Sequence, residues 1–312
     1  MEQTHYNICM FAYNEEKHII DSIKSVFANI DSLCQQVFVL ANGCTDNTVA
    51  LLLSMQASYS RLCVIELDIG DKCNAWNHYV HCMTQQTPNV ATHFFIDADV
   101  KFTPHVFPTL HQQLQTSPCV VVAGMPVSGR NKAYYQELVT DRACFFGNLY
   151  GMSQRFVERI KQQAFYLPVG LNWIDSFLTK AVNTDLSFDP HNRPNRVTYL
   201  QGHGYYFASL SPFSIDDLAL YKNRIARYEL GKLQEIILDT IPLPEWPRDM
   251  HNINLTIDAE GAFFFGNGQA DASFLVLSSA LFSNSACSVG GSCRRRLRSG
   301  SISGSGTGSL CR

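Results

Sequence analysis

Short apolar runs alternate with amphipathic stretches through the first 125 residues of the chain. The runs are rich in β-branched and aromatic residues, and they predict strands at Tyr6–Ala12, Val37–Asn42, Cys63–Leu67, His93–Asp97 and Cys119–Met125. The stretches between them repeat apolar residues at helical spacing, and they predict helices at Glu15–Phe27, Asp46–Met55 and Asp71–Met83. The alternation predicts an α/β fold in which helices cover both faces of a mostly parallel, Rossmann-like sheet.

After Met125 the alternation stops and helical periodicity dominates. This periodicity predicts helices at Lys132–Leu149, Gln154–Gln163, Ile174–Val182 and Ile215–Leu238. One further strand is predicted at Val197–Leu200. We therefore expect one domain over residues 1–240, with a ligand-binding half at 1–127 and a more helical half at 128–240 that shapes the pocket of a second substrate.

The end of the chain differs in composition from the rest. Residues 241–282 are predicted to form an extension, and residues 283–312 consist mainly of Ser, Gly, Cys and Arg, with four arginines within 294–298. Such a tail buries too little apolar surface to fold, so we expect disorder there. Three interpretations of its basic run stay open: a solvated segment, contact with anionic lipid, or an end that is not native sequence.

Overall composition restricts the function classes. The 312 residues are 46% hydrophobic and 16% charged with a net charge of −3, which is typical of a globular protein and lacks the basic excess of a nucleic-acid binder. The 11 cysteines form no Cys-x-x-Cys pair, which favours reduced thiols in the cytoplasm. We expect no secretory leader and no membrane-spanning segment, with peripheral contact at the inner face of a membrane as the alternative. Nothing in the sequence indicates an oligomeric state.

The tripeptide Asp97-Ala98-Asp99 is the first candidate for chemistry. It places two carboxylates at the carboxyl end of a predicted strand, which is the edge where open α/β sheets bind ligands. Two such carboxylates can share a hard divalent cation that keeps positions open for phosphate oxygens. The alternative for this tripeptide by itself is a turn with solvated carboxylates.

Three further motifs follow the other predicted strands in order. They are Ala12-Tyr13-Asn14-Glu15-Glu16, Asn42-Gly43-Cys44-Thr45-Asp46-Asn47-Thr48, and Gly70-Asp71-Lys72 with Ala75 and Asn77. Together with Asp97-Ala98-Asp99, they make residues 6–238 resemble the family 2 glycosyltransferases of the GT-A fold. The resemblance implies transfer of a sugar from a nucleoside diphosphate sugar, by default a UDP-sugar, to a hydroxyl of a glycan or lipid-linked acceptor. It also implies inversion at the anomeric carbon, Mg²⁺ or Mn²⁺, and a place in glycan, glycolipid or polysaccharide synthesis.

The same resemblance assigns roles to individual side chains. Asp99 is the direct metal ligand, Asp97 contacts the metal through water or lies near the ribose, and His203 is a candidate third ligand. The predicted donor-binding residues are Tyr13, Glu15, Asn42, Asp46, Lys72, Asn77, Asp97, Arg224 and Arg227. Other readings stay open for some of them: Asp46 fits a helix cap, His203 fits a structural histidine, and the two arginines fit a solvated helix face. An amide at Asn42, where the family commonly has an aspartate, leaves the donor base open.

An inverting transfer needs a base within reach of the acceptor hydroxyl. The family carries an aspartate at the start of a helix beyond the metal motif, and the matching position here is Asp175. The acidic partner that usually precedes it is replaced by Ile174. A helix cap is the alternative role, and Asp141 and Asp185 are the rival bases. Since a helix N-terminus lowers the pKa of a carboxyl, this assignment needs a partly apolar setting.

Three other classes of protein are alternatives to this one. A nucleotidyltransferase would carry a loop rich in glycine and lysine after the first strand, and a dinucleotide-binding dehydrogenase would carry Gly-x-Gly-x-x-Gly there. The loop Tyr13-Asn14-Glu15-Glu16 has neither pattern. A non-catalytic nucleotide-sugar-binding module would keep Asp97 and Asp99 but lack a working base, and Asp175→Asn separates it from an enzyme.

Overall fold

A computed structural model describes residues 4–85, 87, 89–207 and 215–257, with the backbone alone for 215–220. Its strands are β1 (His5–Ala12), β2 (Cys34–Asn42), β3 (Leu62–Leu67), β4 (Val90–Asp97), β5 (Lys101–Phe102), β6 (Val121–Pro126), β7 (Leu149–Ser153) and β8 (Val197–Tyr206). Its helices are α1 (Ile19–Phe27), α2 (Thr48–Gln56), α3 (Lys72–His78), α4 (Val106–Gln115), α5 (Lys132–Arg142), α6 (Gln154–Gln162), α7 (Ile174–Asn183) and α8 (Ile215–Leu238). A wider π-helical turn, Tyr79–Met83, continues α3.

The strands form one mixed sheet in the order β3-β2-β1-β4-β7-β6-β8-β5. Parallel pairs join β3, β2, β1 and β4, and another joins β6 to β8. Strand β7 runs antiparallel to both β4 and β6, and β5 runs antiparallel to β8. Because β4 and β6 therefore point the same way, the carboxyl ends of β1, β2, β3, β4 and β6 all meet at one edge of the sheet.

Side-chain alternation along the strands divides the core into two layers. On β1, Tyr6, Ile8 and Met10 face one layer, whereas Cys9 and Phe11 face the other. Helices α1, α2 and α4 cover the first layer, and α3, α6 and α7 cover the second, so the domain is an α/β/α sandwich. Both faces of the central strands are apolar, which is why these strands read as continuous hydrophobic runs in the sequence.

The structure corrects one predicted element. The helix predicted at Lys132–Leu149 ends at Arg142, where Ala143 adopts a left-handed conformation (φ 52°), and the chain then enters β7. All five residues of β7 are buried, so the strand shows no period-two alternation in the sequence. Its short length and position between two strands of the sheet make it a product of tertiary packing.

Strand β8 is also longer than predicted. It continues from Val197 to Tyr206, past a register shift opposite Ala123 and Met125 of β6. Gly202 (φ 79°) supplies the backbone conformation at this irregularity. His203 therefore lies within a strand, not in a loop after one.

The described part of the predicted extension packs onto the core. Met250, Ile253 and Ile257 are buried in the same layer as α7, and Met250 donates its backbone N–H to Val169 O at 2.8 Å. Residues 258–312, including the tail predicted to be disordered, lie outside the described residues. Among the described helices, none has the length and apolar composition needed to cross a bilayer.

A buried histidine makes stability depend on pH. His93 is fully buried in β4 between the Tyr79 hydroxyl (2.9 Å) and Gln154 Oε1 (2.7 Å), and burial lowers its pKa from 6.5 to about 4. Between these values the unfolded chain binds a proton that the folded chain does not. The free energy of unfolding should therefore decrease as the pH is lowered from 6.5 towards 4, by up to about 1.4 kcal/mol per pH unit from this group.

The variant His93→Gln tests this. Urea unfolding at pH 7, 6 and 5 should show that its free energy of unfolding decreases less with acidification than that of wild type. The exposed control His18→Gln should keep the wild-type slope, and equal slopes in all three proteins would contradict the assignment.

Candidate functional site

The loops after β1 and β2 are joined by a set of polar contacts. Asn14, held at φ 55°, accepts the backbone N–H of Thr45 at 2.8 Å. Asp46 accepts Thr48 N at 3.0 Å through one oxygen and Glu16 N at 3.1 Å through the other. Because both oxygens of Asp46 are engaged, the structure gives it a capping and bridging role, and its contact with a donor stays a prediction.

A pocket side forms where the loops after β1, β2 and β3 meet. A Cβ on Gly43 would lie 2.5 Å from Gly70 N, so these two loops touch backbone to backbone. The half-exposed ring of Tyr13 lies over Gly70, 3.0 Å from where a Cβ would be. Asn42 is buried beneath, and within the described residues its Oδ1 has no hydrogen-bond partner. An exposed aromatic face suits stacking on a ring, and an unpaired acceptor at the end of the neighbouring strand suits an N–H donor.

Lys72 lies close to two carboxylates, those of Asp97 and Asp175. The first residue of α3, it forms an ion pair with Asp97 at the end of β4. A Cβ placed on Gly147 would lie 2.5 Å from Lys72 Nζ, 3.1 Å from Asp175 Oδ1 and 3.4 Å from Asp97 Oδ2. Gly147 therefore marks the point where residues from β4, α3 and α7 converge, and only a residue without a side chain leaves room for them.

The charges at this point perturb one another. Burial opposes the charge on Lys72, but Asp97, Asp175 and Asp99 together raise its pKa. Burial raises the pKa of Asp175, aided by Asp97 and opposed by Lys72. Asp175 is thus a half-buried carboxyl at a helix start whose pKa moves upward, as its sequence assignment requires. Its rivals are placed elsewhere, since Asp141 is exposed on α5 and Asp185 pairs with Arg159 and Arg196.

A second group of carboxylates lies beside the first. Burial and the neighbouring Asp97 raise the pKa of Asp99. Burial, Asp99, Asp97 and Asp46 raise the pKa of Glu15 to about 7. Carboxylates that disfavour each other's ionisation are the setting in which a cation binds well.

The donor set fits a hard divalent cation at Asp97 and Asp99, since both offer carboxylate oxygens at the strand end. The fit does not extend to a preformed three-residue cage: within the described part of the chain, no group of three or more His, Cys, Asp or Glu side chains is arranged to hold a metal ion. The buried Nδ1 of His203 has no hydrogen-bond partner there. A metal role for His203 stays a prediction.

The loop that precedes Asp175 is fixed from both sides. Asp71 caps α3 through Asn74 N (2.8 Å) and accepts Gly170 N at 2.9 Å with its other oxygen. The fully buried Gln234 of α8 accepts Asn172 N at 2.9 Å and donates to Gly170 O at 3.1 Å and Asn254 Oδ1 at 2.8 Å. These bonds tie the start of α7, and with it Asp175, to α3 and α8.

Asn77 serves the same loop. Its amide donates to Leu167 O at 2.8 Å and accepts Leu167 N at 2.9 Å. Both ends of the amide are thus paired with the backbone, which gives Asn77 a positioning role. Donor contact by Asn77 stays a prediction.

Helix α8 closes the site on the side of Asp175. It packs against the loop at Gly231, where a Cβ would lie 2.4 Å from Trp173 Cβ. Arg224 and Arg227 are exposed on this helix, and the charge of Arg224 acts on Asp99. Tyr135 of α5 stacks edge-on against Phe146 at 5.1 Å, and its hydroxyl interacts with Tyr228, Arg224 and Asp175.

Known proteins resemble this chain in sequence and in fold. The sequence matches the family described as "Glycosyl transferase family 2" over residues 7–170. The fold resembles that of a mannosyltransferase, PcManGT from Pyrobaculum calidifontis, in a complex with GDP-Man and Mn²⁺, at a TM-score of 0.57 and 14% identity over 93% of this chain and 77% of that one. It also resembles S. aureus TarS 1-349 in complex with UDP-GlcNAc, at a TM-score of 0.53 and 14% identity over 88% and 79% of the chains. No curated protein sequence matches the chain significantly. The fold is of the GT-A type.

Gly147→Ala tests the convergence at Lys72. The added methyl group would displace the flexible end of Lys72, so the chain should fold but lose about 1–3 kcal/mol in its free energy of unfolding. In a Lys72→Met background the clash with Nζ is absent, so the same substitution should cost clearly less. A double-mutant cycle measured by urea unfolding gives this coupling, and an equal cost in both backgrounds would contradict the arrangement.

Gln234→Met tests the anchoring of the loop. It leaves Asn172 N and Gly170 O without the glutamine partner in a buried setting, so the free energy of unfolding should fall by about 2–4 kcal/mol. The exposed control Gln112→Met should change it by less than about 0.5 kcal/mol. Urea unfolding measures both, and a neutral Gln234→Met would show that these bonds do not stabilise the loop.

Proposed function

Because this chain belongs to glycosyl transferase family 2, we propose that it transfers a sugar from a nucleoside diphosphate sugar to an acceptor hydroxyl with inversion at the anomeric carbon. The convergence of Asp97, Lys72 and Asp175 at Gly147 supports this proposal, since a positive charge that could face a diphosphate lies near a candidate base. A UDP-sugar is the default donor, and a GDP-sugar is the alternative that the PcManGT complex suggests.

The donor would bind along the carboxyl edge of the sheet. Tyr13 offers a face to the base, and the unpaired Oδ1 of Asn42 accepts an N–H from it. Lys72 carries the positive charge that faces the diphosphate, and Arg224 adds a second one from α8. A divalent cation held by Asp99 and Asp97 would stabilise the charge that develops on the diphosphate leaving group.

Asp175 acts as the general base in this scheme. It accepts the proton of the acceptor hydroxyl as that oxygen bonds to the anomeric carbon and the bond to the diphosphate breaks. Its raised pKa increases its basicity as a carboxylate, and the bonds to the preceding loop hold it in place. Orientation of this kind contributes much of the rate in such displacements.

The acceptor is proposed to be a glycan or a lipid-linked sugar. Tyr134 and Tyr228 expose 59% and 41% of their surface on the two helices that flank Asp175. Exposed aromatic faces beside the base offer stacking surfaces to a sugar ring. The proposal includes action in the cytoplasm, with the inner face of a membrane as the alternative site for a lipid-linked acceptor.

A second candidate is a non-catalytic module that binds nucleotide sugars. Ile174 stands where the family commonly has an acidic residue. The ammonium group of Lys72 lies near Asp175 and lowers its pKa, which makes this carboxylate a weaker base. This candidate keeps the donor site and loses the transfer.

Nucleotide binding provides the first test. UDP, GDP, dTDP, CDP and ADP are each added with and without Mn²⁺, and thermal unfolding is followed. A nucleotide at about a hundred times its dissociation constant adds roughly 2.7 kcal/mol, which raises the melting temperature by about 5–10 °C. We expect one nucleotide to give a metal-dependent rise that Asp99→Ala abolishes. The absence of any rise would exclude the proposed donor site.

Asp175→Asn then separates enzyme from binding module. The donor used is a nucleoside diphosphate sugar that carries the nucleoside found in the first test. The variant should bind this donor with a dissociation constant within about twofold of that of wild type, and it should transfer sugar about 10²–10⁴-fold more slowly. The exposed Asp141→Asn is the matched control and should transfer normally. Donor binding without transfer in the wild type would support the binding module, and unchanged transfer by Asp175→Asn would exclude this residue as the base.

A further inference from the structure

A cavity of about 270 Å³ lies at the opposite edge of the sheet from the donor motifs. Its lining includes Val120 and Arg196, which directly precede β6 and β8, and Arg155, Phe156 and Arg159 of α6. Strand β6 has 6 residues, so the cavity and the donor edge are separated by about 20 Å. None of the proposed catalytic or donor-binding residues lines it.

Three guanidinium groups and one carboxylate line this cavity. Asp185 pairs with Arg159 at 2.8 Å through one oxygen and with Arg196 at 2.6 Å through the other. Arg155 donates to the backbone carbonyls of Pro118 and Cys119. Three positive charges against one negative charge leave a net charge of +2 on the lining side chains.

Several features make this positive charge energetically unfavourable in the protein alone. Arg155 and Arg159 are four residues apart on α6, a spacing at which like charges repel. Arg155 also lies in the first turn of that helix, where the positive end of the dipole disfavours a cation and where no acidic residue is present. The adjoining N-cap residue, Ser153, makes no side-chain capping bond.

Arg196 shows the effect of this crowding. It lies over the Phe156 ring at 5.2 Å, and it donates to Val182 O at 3.0 Å. Burial lowers its pKa, and the charges of Arg159 and Arg155 lower it further while Asp185 opposes them. Both oxygens of Asp185 are thus already engaged by two arginines, and among the described residues the third arginine, Arg155, is hydrogen-bonded to backbone carbonyls and forms no ion pair.

We propose that this cavity binds a phosphate group, either inorganic phosphate or the phosphomonoester of a larger ligand. A dianion would neutralise the excess charge of two, and guanidinium groups bind phosphate oxygens through paired N–H donors. Asp185 holds two of the arginines in position, the exposed Arg155 supplies a guanidinium group without an ion pair among the described residues, and Phe156 contributes an apolar wall.

Thermal unfolding at constant ionic strength tests the site. Wild type, the double variant Arg155→Gln/Arg159→Gln and the control Arg193→Gln are compared in sodium phosphate and in sodium chloride, without nucleotide or metal. Arg193 is an exposed arginine that pairs with Asp189 outside the cavity. Its replacement by Gln therefore removes the same kind of charged side chain without changing the cavity. At about ten times the dissociation constant, phosphate should raise the melting temperature of wild type and of Arg193→Gln by about 3 °C.

The double variant should lose this rise while keeping the far-UV circular dichroism of wild type. Its nucleotide response should be unchanged, which separates this site from the donor site.

Glycerol 3-phosphate and vesicles that contain phosphatidic acid distinguish the two sources of the phosphate group. If wild type co-sediments with the vesicles and the double variant does not, the ligand is a lipid headgroup. If only the soluble ligands give a response, the ligand is a free phosphate. If the wild type shows no rise, or if the double variant keeps it, the proposal is wrong. Arg155→Gln alone should retain part of the response, because Arg159 and Arg196 still line the cavity.

Discussion

The ion pair of Lys72 with Asp97 is the interaction on which the candidate site depends. Lys72 begins α3, Asp97 ends β4, and the carboxylate of Asp175 at the start of α7 lies near the same ammonium group. One positive charge thus allows carboxylates from two distant parts of the chain to lie close together. Without it, Asp97 and Asp175 would repel each other in a partly desolvated setting, where charge interactions are stronger than in water.

The segment from Asp71 to Asn77 does more than supply this charge. Asp71 holds Gly170, Lys72 holds Asp97, and Asn77 holds Leu167. A single helix of 7 residues therefore fixes the strand end and the loop before Asp175 relative to each other. Gln234 repeats the arrangement from α8 and binds the same loop at Gly170 and Asn172. The geometry of the site is set by hydrogen bonds to the loop backbone, which hold it independently of the loop's side chains.

The sequence predicted the first half of the fold well because its periodicities are strong and its motifs lie at strand ends. Strands β1 to β4 and the carboxylates that follow them could be placed from pattern alone. Strand β7 could not, because its five residues include Gly151 and Ser153, which interrupt the apolar run, and because it follows a helix whose end is set by the conformation of Ala143. The family resemblance suggested Asp175 and Lys72, but no local signal marks Gly147 or Gln234. Their importance comes from contacts between residues far apart in the chain, such as Gly147 with Lys72 and Gln234 with Asn172.

The charges of the site also constrain how a donor can approach it. Glu15, Asp46, Asp97, Asp99 and Asp175 are acidic, whereas Lys72 and Arg224 are the cations whose charges act on Asp99. A nucleoside diphosphate is itself an anion, so this edge would repel it unless positive charge arrived with it. Burial, together with this excess of negative charge, raises the pKa values of Glu15 and Asp99 in the protein alone. A cation that binds together with the diphosphate removes both repulsions, so donor and cation binding should be thermodynamically coupled at this edge: each should strengthen the binding of the other.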